Sequence, residues 1–176
     1  MTGHVFVDES KSRDYLLIAS VVAPHDLVAA RKTIRTLVLP GQRRLHMKSE
    51  GDGRRRVILT ELERHGFRAT IYQAGTGFKT DLDRRRHCLD RLVADIARDG
   101  HMMLCLESDE TLDARDRREL ATLTRAHGCA ETLRYQHQRA AQEPLLAVPD
   151  AVGWAYARGG DWRRRAQPLI EEVIDL

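Results

Sequence analysis

Two β-forming runs, "HVFVDES" at residues 4–10 and "YLLIASVVA" at 15–23, are separated by four polar residues, and this pair constrains the fold more than any other feature of the chain. Both are rich in the β-branched and aromatic residues that suit a pleated surface. The link "KSRD" is too short for a crossover, so the two runs are expected to form an antiparallel hairpin. The second run is apolar throughout and needs cover on both faces, which places it near the middle of a sheet.

The residues that could supply this cover follow. Pro24 and Asp26 open a predicted helix over 26–38, with Leu27, Ala30, Ile34, Leu37 and Val38 on one face. The connection 39–53 carries a predicted short strand near 44–48 between Pro-Gly and Gly-Asp-Gly turns. A helix over 54–65 stops at Gly66, and "FRATIYQA" (67–74) alternates as a strand. Leu82, Leu89, Leu92, Val93 and Ile96 recur at helical spacing over 81–99, before Gly100. "HMMLCLE" (101–107) reads as a buried strand, and Asp113 as the N-cap of a helix reaching 127. The segment 129–143 has no decisive pattern. An apolar run over 143–150 leads into a helix from Asp150 to 158, and "RGGD" precedes a last helix started or kinked at Pro168. Strands alternating with helices predict an α/β domain, a mixed sheet with helices on its faces, over 1–176 as one unit.

No stretch approaches the roughly 20 apolar residues of a membrane span, and the N-terminus lacks the basic-then-apolar pattern of a signal peptide. Cys88, Cys105 and Cys129 are odd in number and fit neither a zinc ribbon nor a disulfide framework, so they read as buried thiols. A cytoplasmic protein without a membrane partner is expected. Self-association stays open. Net charge is only +3, yet Lys occurs only at 11, 32, 48 and 79 among 29 basic residues. Arg makes planar, bidentate contacts to phosphate, so a phosphate-bearing partner is permitted.

Carboxylates mark the ends of several predicted elements. Asp8 and Glu9 close the first strand, Glu107 closes "HMMLCLE", and Asp150 stands at a helix start. Ligands of open α/β sheets bind beyond the carboxyl ends of strands. Hard divalent cations such as Mg²⁺ or Mn²⁺ take oxygen ligands, and two of them can clamp the attacking and leaving oxygens of a phosphodiester. Alternation sends Asp8 and Glu9 to opposite faces; Asp8 shares its face with Phe6, and Glu9 shares the other with Val5 and Val7. Each acid also has a bland reading, as a strand terminus or, for Asp150, an N-cap.

The stretches "VFVDES", "RRLHMKSE" and "EPLLAVPDAVGWAYARGGDWRRR" resemble a family of bacterial RNase H-like proteins, close to the domain of unknown function 3800. The resemblance implies an RNase H-like fold with a mixed central sheet flanked by helices on both faces. It also implies an acid cluster binding two divalent ions, Mg²⁺ or Mn²⁺, in which Asp8, Glu107 and Asp150 match the family's acids. The chain departs from the family in having Lys11 where Gly often follows Asp-Glu-Ser. No fourth acid is identified; Glu9, Asp109 and Glu110 are candidates. The implied activity is metal-dependent nuclease action on DNA or RNA. The alternative is a non-catalytic RNase H-like module that binds nucleic acid or a protein partner.

His46, Lys48 and Glu50 fall on one face if "LHMKSE" is extended, and His46 and Lys48 are then candidate phosphate-binding or proton-transferring residues. His137 reads as a polar loop residue. "RRRH" (84–87) and "WRRR" (162–165) read as solvated helix faces or phosphate-facing patches, and Trp154 and Trp162 as packing anchors.

Overall fold

The computed structural model describes residues 2–176. Among these residues six strands and six α-helices follow one another as β1 (His4–Lys11), β2 (Tyr15–Val22), α1 (Leu27–Leu37), α2 (Asp52–Arg64), β3 (Ala69–Ala74), α3 (Asp81–Asp99), β4 (Met103–Glu107), α4 (Asp113–Ala126), β5 (Arg134–Gln138), α5 (Ala147–Arg158), α6 (Gly160–Ala166) and β6 (Ile170–Asp175). The strands form one sheet in the order β5-β4-β1-β2-β3-β6. The hairpin forms as expected, antiparallel from His4↔Val22 to Lys11↔Tyr15. β3 adds to β2 antiparallel, whereas β4 pairs with β1, β5 with β4 and β6 with β3 in parallel. The result is a mixed α/β sheet.

β2 is central and covered on both sides, as its unbroken apolar run demands. On one face Phe6, Ile18 and Ile71 pack with α1, α2 and α5. On the other, Val5, Val7, Leu17 and Leu104 pack with α3 and α4. Leu17 and Ile18 are fully buried, and each such side chain contributes about 1.5–3 kcal/mol of hydrophobic stabilisation. Trp154 and Trp162 meet edge to face at 5.2 Å, with the Arg55 guanidinium 4.3 Å from the Trp154 ring centroid. They are packing anchors, as read. All three cysteines are buried and free.

Several expectations are corrected. The first strand does not stop at Asp8 and Glu9; it runs on to Lys11 because β2 continues beside it. Residues 44–48 form no strand but lead into a 3₁₀ turn, Met47–Ser49. The Met47 N–H that a ladder would need is taken by Asp150. Asp150 is no N-cap: a 3₁₀ turn, Pro144–Leu146, runs directly into α5, so Asp150 lies in its first turn. Asp113 likewise lies inside its helix, after Leu112; its carboxylate accepts from Ser108 Oγ and the Asp109 N–H and so holds the preceding loop. The undecided segment 129–143 contains β5, an edge strand whose polar residues mask its period. The last helix expected after "RGGD" forms as α6, but its second half does not: Pro168 lies in a 3₁₀ turn, Gln167–Leu169, and β6 follows, paired in parallel with β3.

α5 crosses β1 and β2 closely because of one missing side chain. A Cβ on Gly153 would lie 2.6 Å from Ile18 Cδ1 and 3.1 Å from its Cγ1. Ile18 is enclosed and cannot swing aside. Gly153→Ala gains helix propensity of up to about 1 kcal/mol, against an overpacking cost of about 1–3 kcal/mol. A net loss of about 1–2 kcal/mol is expected in urea unfolding, and Gly153→Val should lose more.

Candidate active site

β1 and β4 pair in parallel only as far as Val7↔Leu106. Beyond that point β4 ends at Glu107 while β1 continues with β2 alone. The parting opens a cleft at the carboxyl end of two parallel strands, where open α/β sheets bind ligands. Its volume is about 450 Å³, and Asp8, Glu107, Asp150, His46 and Asp109 are among its lining residues. Alternation places Asp8 on the Phe6 face and Glu107 on the Cys105 face, which is the layer that carries α5. α5 supplies Asp150 from above. Its start is fixed by Glu143, which accepts from the Leu145 N–H at 3.1 Å and from Arg31 Nη2 at 2.8 Å.

The carboxylates are crowded. Asp8 accepts a hydrogen bond from the Glu9 N–H at 2.7 Å, and its carboxyl lies within hydrogen-bonding reach of Glu107. Burial, and then the Glu107 and Asp150 charges, push the Asp8 carboxyl well above the ordinary carboxylate range. Burial also raises Asp150, opposed by the Met47 N–H at 2.9 Å and by His46, whose Nε2 is 4.0 Å from Asp150 Oδ1. Glu107 accepts from Arg44 Nη1. An all-oxygen set of this kind fits a hard divalent cation, which tolerates few protein ligands and keeps waters. In their present positions the groups bind one another: among the described residues, no three His, Cys, Asp or Glu side chains are grouped as a metal shell.

The other candidates turn to other partners. Glu9 and Arg85 also line the cleft, but Glu9 faces the opposite layer, as alternation required, where Arg85 Nη1 donates to its Oε2 at 2.6 Å and to Tyr15 OH at 2.8 Å. Arg85 is 7% exposed and also makes a bidentate pair with Asp116, which is 1% exposed. The "RRRH" run is therefore neither a solvated face nor a phosphate patch at Arg85. His137 is no loop residue: it sits on β5, its side chain 5% exposed, 3.0 Å from Asp116 and on the face away from Asp150. The Asp109 carboxylate is turned to Thr111, and Glu110 is exposed, pairing with Arg139. The stretch 46–50 presents no single face, because it turns. His46 lines the cleft, Lys48 is exposed outside the cleft lining, and Glu50 is buried beside Gln42 and Arg54. Arg44 is the functional candidate that sequence reasoning missed. The only hint of Arg44 was its place two residues before His46 in "RRLHMKSE".

A raised Asp8 pKa means that the folded protein binds more protons than the unfolded chain above the ordinary value of 3.8. This contribution to stability is fully present below 3.8 and is lost as pH rises through the elevated value. Urea unfolding in chelator should therefore show wild-type stability declining with pH, and Asp8→Asn should flatten the decline. At neutral pH the variant should be more stable by about 1 kcal/mol.

No family profile matches the chain, and no curated relative matches it either. Among solved structures, it is similar to a chain of the PCNA:RNase HII complex from Archaeoglobus fulgidus, with a TM-score of 0.58 and 15% identity, covering 95% of this chain and 77% of that one. At that identity the likeness concerns the fold. The α/β architecture is RNase H-like.

Proposed function

We propose that the protein is a divalent-metal-dependent phosphodiesterase acting on DNA or RNA. The observation that carries this reading is the meeting of Asp8, Glu107 and Asp150, from β1, β4 and α5, in one cleft where β1 and β4 part. The elevated Asp8 and Asp150 carboxyls support it, because crowding acids without enough cations costs stability unless a cation completes the site. The RNase H-like fold of the A. fulgidus neighbour is consistent with it.

Asp8, Glu107 and Asp150 would hold Mg²⁺ or Mn²⁺, one or two ions in all, and His46 stands at the rim of the same cleft. Bound ions would supply Lewis-acid stabilisation of the phosphorane-like charge and a nucleophile at neutral pH. His46, whose Nε2 lies 4.0 Å from Asp150 Oδ1, would donate a proton to a departing oxygen. Arg side chains around the cleft would position the phosphodiester backbone without reading its sequence. Lys48, exposed outside the cleft lining, would share this outer positioning role.

Calorimetric titration with Mn²⁺ tests the reading directly. Wild type should bind, and Asp8→Asn and Asp150→Asn should lose binding. Single-stranded and duplex DNA, RNA and hybrid substrates, incubated with Mn²⁺, should identify a preferred polymer. Each variant should cleave it more slowly by at least about a hundredfold, since outer partners of metal ligands already cost about 10–100-fold. Absence of Mn²⁺ binding by the wild type refutes the reading. Metal-independent binding of nucleic acid without cleavage would instead identify a non-catalytic binding module.

A further inference from the structure

Arg44 stands between two cavities. Its guanidinium pairs with Glu107, one of the residues that line the acid cleft. The same residue lines a neighbouring groove of about 440 Å³ between the end of α1, the 39–45 connection and the start of α5. Arg35 and Arg43 stand on that groove's wall, over an apolar floor that includes Val38 and Ala147. The contact with Glu107 is only partly buried, with the two side chains 32% and 23% exposed. It can therefore open without disturbing the core.

We propose that Arg44 is a phosphate-positioning residue held in reserve on Glu107, which it exchanges for a divalent cation when nucleic acid arrives. This rests on the metal-site reading above. Arg44 satisfies Glu107 in the absence of metal, so the guanidinium and the cation compete for one carboxylate. Once displaced, the guanidinium swings about its own stem into the groove, where Arg35 and Arg43 already form a basic wall. A phosphate there receives a planar, two-pronged donor. The exchange couples the two ligands: metal releases the arginine for phosphate, and phosphate holds the arginine away from the metal site. Linkage requires each ligand to tighten the other by the same factor.

The test measures Mn²⁺ affinity by calorimetry on the full chain, with neither nucleic acid nor turnover. Arg44→Ala should bind Mn²⁺ about tenfold more tightly than wild type, the scale of one charge-assisted hydrogen bond. Arg44→Gln, which keeps most of the stem but not the charge, should shift in the same direction. Arg13→Ala, which removes an exposed charge in the link between β1 and β2 that has no carboxylate partner among the described residues, controls for the general field and should stay within about twofold. In Ca²⁺, chosen to limit cleavage, a single-stranded DNA oligonucleotide should tighten metal binding to wild type but not to Arg44→Ala. Equal Mn²⁺ affinity in wild type and both Arg44 variants overturns the exchange while leaving the metal site standing. Weaker binding in those variants overturns it as well, since Arg44 would then organise the site. If neither the wild type nor any variant binds Mn²⁺, the metal-site reading falls and the exchange falls with it.

Discussion

The pleat of β1 gives two adjacent carboxylates opposite surroundings, and the rest of the cleft depends on that division. Glu9 turns toward α3 and meets Arg85, itself gripped by Asp116, with Tyr15 and His137 completing the group. Asp8 turns toward α5 and meets two further acids. One face thus holds a paired ionic network, and the other holds unbalanced negative charge. Removing one partner from a buried ionic group costs about 3–5 kcal/mol, so the Arg85 side is held firmly. The firmness matters because Asp8 and Glu9 share a peptide unit: anchoring Glu9 limits how far Asp8 can move.

The second constraint is the depth at which α5 sits. Gly153 lets the helix approach Ile18, and the Arg31–Glu143 pair sets where the helix begins. Asp150 lies one turn before Gly153, so the close approach also brings its carboxylate toward the strands. The Met47 N–H then orients that carboxylate from the far side. Residues 44–47 consequently touch two of the three acids, Glu107 through Arg44 and Asp150 through Met47 and His46. A segment that reads as an ordinary connection becomes one wall of the site.

Much of this was legible from local pattern. The hairpin, the order of the first nine elements apart from the supposed strand at 44–48, and the facing of Asp8 and Glu9 follow from period and link length, which depend on neighbours in sequence. The edges were not legible. β5 is polar because one side of an edge strand meets solvent, and β6 is an acidic run whose strand character comes from its pairing with β3. Arg85 looked like one of three arginines on a helix; nothing local distinguishes the arginine that turns inward from its neighbours that do not. Lys48 was misplaced for a related reason, since a period-two reading of 46–50 assumed extended backbone where the chain turns.

By itself the amino-acid sequence determined an α/β chain with a central buried hairpin and acids near the ends of its strands, because hydrophobic period and turn length are local properties. Only the tertiary structure decided that β4 stops beside Asp8, that α5 lies close enough to present Asp150, and that Arg44 reaches Glu107. These are contacts between residues about 60–140 positions apart, and they are set by the packing of whole elements rather than by any short stretch of sequence.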